Sequence, residues 1–493
     1  MKDEKIVVIG GGFGGLSAAC FLGKKGFEVE LVEKNDSVGG RASVLEEDGY
    51  RFDMGPSWYL MPDIFERFFN RFDRDPEDFY SLTRLDPNYS IFFKDGDRMD
   101  VPADPEEASE LFETYEDGAG EAFQRYLEKS EETYDIGMNE FVLKDRNNFR
   151  DYISLDVLRN ARGISLIKKM QDHVEEYFDN PKLQQVMQYT LVFLGGSPEN
   201  TPALYNLMSH VDFNMGVYYP EGGIYSVIEG MKELAEEQGV KFSTGEEVRK
   251  IDRRDGKNFV ETEDREIEAD AVVSNADYAF TETELLPEKF TTYDKDYWDS
   301  RTYAPSAFLM YLGVEGELEE LEHHSLVLPE DWNPHFEKIF DDPGLPEDPA
   351  YYVCNPSDTD ETVAPEGKSA LFILVPVAAE LDLDEDKREK FREAVLEDLA
   401  ENTGEDLRGR INYEKIFAGE EFKEKYNSYN GTALGIAHTL RQTSVFRPKQ
   451  RSKNMKGLYY TGQYTNPGIG MPMCLISGEH VAEKVVEDLE DEK

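Results

Sequence analysis

The chain opens on a short β-branched run, Lys5-Ile-Val-Val-Ile-Gly10, which predicts a strand buried on both faces. Positions 16–25 then carry small and apolar residues, among them Ala18, Ala19 and Leu22, and predict a helix closed by Gly26. Glu28-Val-Glu-Leu-Val-Glu33 predicts a second strand. The pattern is less regular farther on. Positions 61–132 mix aromatic and acidic residues, as loops, helices and an edge hairpin would, and 133–211 are mostly helical in character, broken at Pro181 and Gly195-Gly196. A helix is predicted over 226–238, with Ile228, Met231 and Leu234 on one face, followed by short strands at 239–244 and 247–251. Another strand runs from Glu268 to Asn275, and strand-like runs recur at 306–312 and 371–376. The last pattern is a strand at 457–462, a loop rich in glycine and proline, and a helix over about 474–489.

Charge narrows the function classes. There are 103 Asp and Glu against 53 Lys and Arg, a net charge of −50 over 493 residues. That sign excludes nucleic acid as a partner. The acid is spread along the whole chain, which points to a solvated carboxylate surface suited to a salt-rich cytoplasm. Three cysteines, Cys20, Cys354 and Cys474, form no CxxC pair, which argues against a disulfide framework and a structural zinc site. No signal peptide precedes the first strand, and no apolar run approaches ~18 residues. The sequence therefore reads as cytoplasmic, soluble or peripheral to the cell membrane.

Between the first strand and helix lies Gly10-Gly-Gly-Phe-Gly-Gly15, matching G-x-G-x-x-G at Gly10, Gly12 and Gly15. Gly10 makes the tight turn, Gly12 lets the backbone approach a pyrophosphate, and Gly15 lets helix and strand pack closely. The helix amino terminus offers free N–H groups and a positive dipole end to the phosphates. Glu33 closes the second strand, where a carboxylate can accept both ribose hydroxyls and repel a 2′-phosphate, which disfavours NADP. This unit alone leaves FAD and NAD open. Ser37-Val-Gly-Gly-Arg41-Ala42 and Phe52-Asp-Met-Gly55-Pro56-Ser57 follow it closely. Gly39 and Gly40 free the backbone beside a diphosphate and ribityl chain, and Arg41 adds a fixed positive charge. Val248 is placed near the adenine. At the far end, Gly462 and the loop through Pro467, Gly468, Gly470 and Met471 can set backbone N–H groups beside the pyrimidine edge of a flavin. No second dinucleotide fingerprint is present.

These segments, with 219–223, 269–277 and 431–447, resemble the bacterial and archaeal phytoene desaturase (carotenoid desaturase) family, within the flavin-dependent amine oxidase superfamily, in order and over the whole chain. The resemblance implies an α/β protein with a discontinuous Rossmann-type FAD domain (1–85, 216–280 and 430–493). It also implies an interleaved α+β substrate domain (86–215 and 281–429). The cofactor contacts it implies include Gly40, Gly55 and Ser57, with Gly462, Gly470 and Met471 along the flavin. The activity it implies is stepwise desaturation of an acyclic C40 isoprenoid, with a 3,4-desaturase acting on later, C50-pathway carotenoids as the alternative. Two positions depart from the family pattern: Asn466, where Thr-His-Pro-Gly is common, and Gln463, where many relatives carry an acid. A flavin-dependent carotenoid isomerase and a non-enzymatic prenyl-lipid carrier are readings of other classes.

Desaturation removes one hydrogen as hydride to flavin and another as a proton, so neither a triad nor a metal cluster is required. The seven histidines show no ligand spacing, and the neighbours His323 and His324 are expected to point in different directions. A carboxylate and His438 both stand as proton acceptors, and the catalytic group is left open. One window runs against the acidic background. From Val157 to Gln171 it carries Arg159, Arg162, Lys168 and Lys169 and no acid, interleaved with Leu158, Ile164, Leu166, Ile167 and Met170. It reads equally as an anionic-membrane contact and as a packed helix whose bases meet neighbouring acids.

Overall fold

A computed structural model describes residues 4–145, 168–194, 196–199, 201–439 and 441–491. Two sheets organise the chain. The first is wholly parallel and built from β1 (Lys5–Ile9), β2 (Glu28–Val32), β3 (Lys241–Ser243), β4 (Ala271–Ser274) and β5 (Leu458–Tyr460), in the spatial order β5-β4-β1-β2-β3. Val7 pairs with Val272 on one side and Glu30 on the other, which puts the amino-terminal run at the sheet's centre. One face of the sheet buries Ile6, Val8 and Leu31 under three helices: α1 (Phe13–Lys24), α2 (Tyr225–Glu237) and α3 (Met471–Asp491). The other face buries Val7, Ile9, Val272 and Tyr460. Both-sided burial explains why β1 reads as a continuous apolar run.

α1 begins at Phe13, inside the glycine loop, three residues before its predicted start. The Ser17 hydroxyl donates to the Leu475 carbonyl at 2.7 Å, tying α1 to the carboxy-terminal helix across most of the chain. On α2, Ile228, Met231 and Leu234 are all buried, as their spacing predicts.

The predicted strand from Glu268 to Asn275 proves to be two. Glu266–Ala269 finishes a three-stranded antiparallel sheet with Lys257–Thr262 and Val248–Arg254, and Ala271–Ser274 enters the parallel one. Asp270 makes the change, its carboxylate accepting from the Lys5 N–H at 2.8 Å.

The second sheet has seven strands in the order Ile411–Phe417, Ser306–Glu315, Lys368–Val377, Tyr351–Cys354, His324–Leu328, Tyr89–Phe93 and Arg98–Val101. All neighbours are antiparallel except His324–Leu328 beside Tyr89–Phe93. Phe308, Met310, Leu312 and Ile373 pack on Val395 and Leu399 of the helix Glu385–Thr403. The opposite face, with Leu309, Tyr311, Phe372 and Tyr352, turns toward Phe52 and the cavity between the two sheets. The wide π-helical turn Gly137–Val142, which continues the helix Ala119–Ile136, lies on the cavity's helical side, and a second such turn, His210–Met215, stands behind it. Among the described residues no helix is long and apolar enough to cross a membrane.

Candidate flavin site and substrate cavity

The carboxyl ends of β1, β2, β4 and β5 open on one continuous cavity of about 770 Å³. The glycine loop follows β1 directly. A Cβ on Gly15 would sit 2.0 Å from the Gly10 carbonyl oxygen, so only glycine lets α1 leave the strand at this distance. Glu33, at the end of β2, accepts from the Gly11 N–H at 2.8 Å on Oε2 and from the Asn35 backbone and amide N–H groups at 2.9 and 2.8 Å on Oε1. Oε1 thus has both lone pairs engaged, and Oε2 keeps a second lone-pair site for a ribose hydroxyl.

Arg41 lies in the one-turn helix Gly40–Ala42 and stands 5.6 Å from the Tyr426 ring centre. One of its terminal nitrogens donates to Ser428 Oγ at 3.1 Å and to the Thr432 carbonyl at 3.4 Å, and lies 3.9 Å from the Asp277 carboxylate. Burial raises the Asp277 carboxyl, and the Arg41 charge opposes that shift. Two polar atoms of residues on the cavity wall, Arg41 Nε and Gln463 Nε2, are buried and have no partner among the described residues.

Of the sequence-predicted contacts, Gly10, Gly12, Glu33, Gly40 and Arg41 line this cavity. So do Gly55, Ser57, Val248, Gly462, Gly470 and Met471. Gly15 does not; it stands behind the loop as a packing glycine, the task its motif position assigns. The Ser57 hydroxyl is already engaged with Tyr352 Oη at 2.9 Å. α3 starts at Met471 rather than near Cys474, so its first turn faces the cavity together with the loop before it.

Beyond this cradle the cavity turns apolar. Leu326, Leu328, Trp332, Phe336 and Leu374 line it from the seven-stranded sheet and the short helix Asn333–Phe340. Met138, Phe141, Val142 and Leu207 line it from the helices.

The profile of the flavin-containing amine oxidoreductases matches residues 13–486, nearly the whole chain. The chain belongs to that family. It is 60% identical over 491 residues, 99% of both chains, to a carotenoid 3,4-desaturase of Haloarcula japonica. It is 33% identical to a zeta-carotene-forming phytoene desaturase of Myxococcus xanthus, over 98% of this chain and 94% of that one. In fold it is similar to an oxidoreductase from Methanosarcina mazei (TM-score 0.63, 19% identity, 97% and 100% of the two chains covered). It is also similar to a putrescine oxidase (TM-score 0.62, 14% identity, 99% of each chain covered). The protein is an FAD-dependent oxidoreductase of the Rossmann-type amine oxidase fold. The residues present fit the cofactor. The glycine cradle would admit a diphosphate, Glu33 Oε2 could accept from a ribose hydroxyl, and Arg41 Nε and Gln463 Nε2, without partners among the described residues, would offer donors to a diphosphate and ribityl chain.

Two site residues, Asn275 and Arg447, escaped the sequence reading in this flavoenzyme. Asn275, directly after β4, donates to the Gly10 carbonyl at 3.4 Å and fills the space between Gly12, Gly14 and Gly462. Arg447 is 1% exposed and donates to the carbonyls of Gln463 (2.6 Å), Gln442 (3.2 Å) and Ile436 (3.3 Å), holding two cavity-lining loops together. Burial lowers its guanidinium to about 10. His438 accepts the Ile469 N–H at Nε2 (3.1 Å), so its proton sits on Nδ1, which donates to Tyr205 Oη at 2.7 Å. Burial, reinforced by Arg447, holds this imidazole well below the usual histidine range. With both nitrogens engaged and the ring neutral, His438 braces the loop before α3 and is withdrawn as a proton acceptor.

The expectation that His323 and His324 point apart is corrected. His323 precedes the strand His324–Leu328, so strand alternation does not separate the pair, and their ring centres are 4.6 Å apart. Each of His323, His324 and Cys354 has a ligand-type atom within 4.8 Å of the other two. All three are held neutral. Burial pushes His323 down to about 3 and His324 well below its usual range, and lifts the Cys354 thiol to about 12. His324 lies flat on Trp58 at 4.1 Å.

The basic window from Val157 to Gln171 lies mostly outside the described residues. Of its four bases Lys168 and Lys169 are described, and Lys168 pairs with Glu176 at 2.5 Å.

Proposed function

We propose that the protein desaturates an acyclic carotenoid at its 3,4 position. One observation carries this choice over the phytoene-desaturase reading: 60% identity across 99% of both chains to the Haloarcula japonica carotenoid 3,4-desaturase, against 33% to the Myxococcus xanthus enzyme. Bound FAD supplies a two-electron acceptor. The chain's own residues supply the positioning: the glycine loop, Glu33, Arg41 and Gln463 hold the nucleotide and ribityl parts. The apolar arm lined by Leu326, Leu328, Trp332 and Phe336 then lays a rigid polyene against the ring and excludes water.

This reading divides the chain into cofactor (1–85, 216–280, 430–493) and substrate (86–215, 281–429) parts. It treats His323, His324 and Cys354 as neutral packing behind the Trp58 and Tyr352 side of the cavity, without a metal. It also places the enzyme at the surface of the cell membrane, where its substrate resides. The basic window supports that placement, and unchanged liposome binding after Arg159, Arg162, Lys168 and Lys169 are replaced by Ser would remove it.

Expression in cells accumulating phytoene or, separately, lycopene-derived carotenoids tests the assignment. The expected result is a longer chromophore, and two electrons lost per new double bond, from the second strain only. Conversion of phoytene's colourless chain to coloured products would restore the phytoene-desaturase reading. Rearranged double bonds without electron loss would make the protein an isomerase.

A further inference from the structure

A buried carboxylate stands just behind the cavity wall. Asp212 lies in the π-helical turn His210–Met215 and is 1% exposed. Such wide turns are uncommon and gather at functional sites. Its Oδ2 accepts hydrogen bonds from two phenols, Tyr89 at 2.8 Å and Tyr189 at 3.0 Å, and its Oδ1 is buried without a partner among the described residues. Burial pushes the carboxyl up to about 7, and the hydrogen bonds from Tyr89 and Tyr189 oppose that shift. Both phenols are held protonated by burial and by the Asp212 charge, so the carboxyl is the group of the three that titrates near neutrality.

The two tyrosines differ in what else they face. Tyr189 lines the cavity, as does Trp58, whose ring packs on Tyr89 and Tyr189 at 5.6 and 6.0 Å. Trp58 directly follows Gly55-Pro56-Ser57, a segment of the cofactor cradle. A proton released in the cavity beside that segment therefore has Tyr189 in the adjoining wall, a phenol whose own hydrogen already points at a carboxylate. His438, with both nitrogens engaged, offers no such path.

We propose that Tyr189 and Asp212 form the proton exit of the desaturation. The proposal rests on the carotenoid-desaturase reading. In the balanced step, one C–H of the polyene gives its hydrogen and bonding pair to the oxidised flavin. The adjacent C–H bond breaks, and its electron pair closes the new C=C bond. Its proton passes to the Tyr189 oxygen while the Tyr189 hydroxyl proton passes to Oδ2 of Asp212. Tyr189 ends neutral, as it began, and Asp212 goes from carboxylate to acid. Tyr189 is the catalytic residue here, and Asp212 acts through it.

The test uses the purified holoenzyme and the carotenoid that the wild-type chain desaturates in the expression assay, supplied in liposomes. Product is measured in anaerobic single turnovers across pH. The wild-type rate should fall about tenfold per pH unit below about 7 and level off above it. Asp212→Asn keeps an acceptor oxygen for the phenols and takes up no proton. It should slow product formation about 10²–10⁴-fold and abolish the limb, with FAD content unchanged. Asp212→Glu should regain the limb, and Tyr189→Phe should match Asp212→Asn. Persistence of the limb in Asp212→Asn, or a Tyr189→Phe rate within a few-fold of wild type, overturns the proposal. If Asp212→Asn fails to retain FAD, the wild-type profile and Tyr189→Phe decide. Absence of product from wild type with every polyene is a different failure: it removes the desaturase reading, and the proton exit with it.

Discussion

The backbone N–H of Gly11 donates to Oε2 of Glu33 at 2.8 Å, so the carboxylate at the end of β2 also fixes the glycine loop. Its other oxygen holds Asn35, and three N–H groups thus converge on one side chain. Glu33→Gln keeps the shape but turns one acceptor into a donor aimed at N–H groups. Hydrogen bonds to a charged group contribute ~1.5–3 kcal/mol, so FAD affinity should fall roughly 10–100-fold. Titration of apoprotein with FAD, followed by flavin fluorescence, measures this directly.

Gly15→Ala should do more harm than its single methyl suggests. The new Cβ would lie 2.0 Å from the Gly10 oxygen, against backbone that has no flexible end to yield. Either α1 or the loop must move, and both shape the cradle. Loss of bound FAD together with a lower unfolding temperature is expected; Gly344→Ala, outside the left-handed region and with no atom nearer than 3.4 Å to its Cβ, controls for the general cost of replacing a glycine.

Local patterns were readable and distant pairings were not. β1, the glycine loop, α1, β2 and Glu33 follow one another within a few dozen residues, and their spacing encodes the cradle directly. The hairpin through Lys257–Thr262 was missed because its alternate residues face solvent, leaving no apolar run to detect. The parallel pairing of Tyr89–Phe93 with His324–Leu328 joins segments whose separation leaves no local trace. The same holds for the meeting of Tyr89, Tyr189 and Asp212. Each residue alone looks ordinary, and only burial together gives the acid its character. His438 was visible as a residue, but its partners Tyr205 and Ile469, which remove it from proton transfer, come from the fold.

The His438 tautomer can be checked without an assay of activity. Nitrogen-15 spectra of labelled holoenzyme should show Nε2 unprotonated and Nδ1 carrying the proton, with no titration from pH ~8 down through ~6, because burial holds the ring neutral there. A His438 signal titrating near 6.5 would mean that the ring is wet and its bond to the Ile469 N–H lost.

With 103 acids against 53 bases, the folded chain repels itself wherever salt is scarce. Raising KCl from ~0.1 M to ~1 M shortens the screening length from about 10 to 3 Å. The unfolding midpoint should therefore climb by at least ~5 °C, the size of shift that ~2 kcal/mol gives a domain of 150–250 residues. An equal osmolality of sucrose, which does not screen charge, should give a smaller rise.

Asp212 also sets a pH dependence of stability that is separate from turnover. An exposed carboxyl in the unfolded chain titrates near ~3.9, whereas burial lifts Asp212 to about 7 in the fold. Below the lower value both states hold the proton and the residue has no effect on the pH dependence. Between the two values the unfolded chain has released a proton that the folded one retains, so each rise in pH favours unfolding. Above about 7 the loss is complete. Wild type should thus lose stability from this group as pH rises from ~4 to about 7. Asp212→Asn, which has no proton to lose, should become more stable relative to wild type over the same window. Denaturant midpoints of the two proteins at a series of pH values give the comparison, and parallel curves would place Asp212 in contact with water rather than behind the cavity wall.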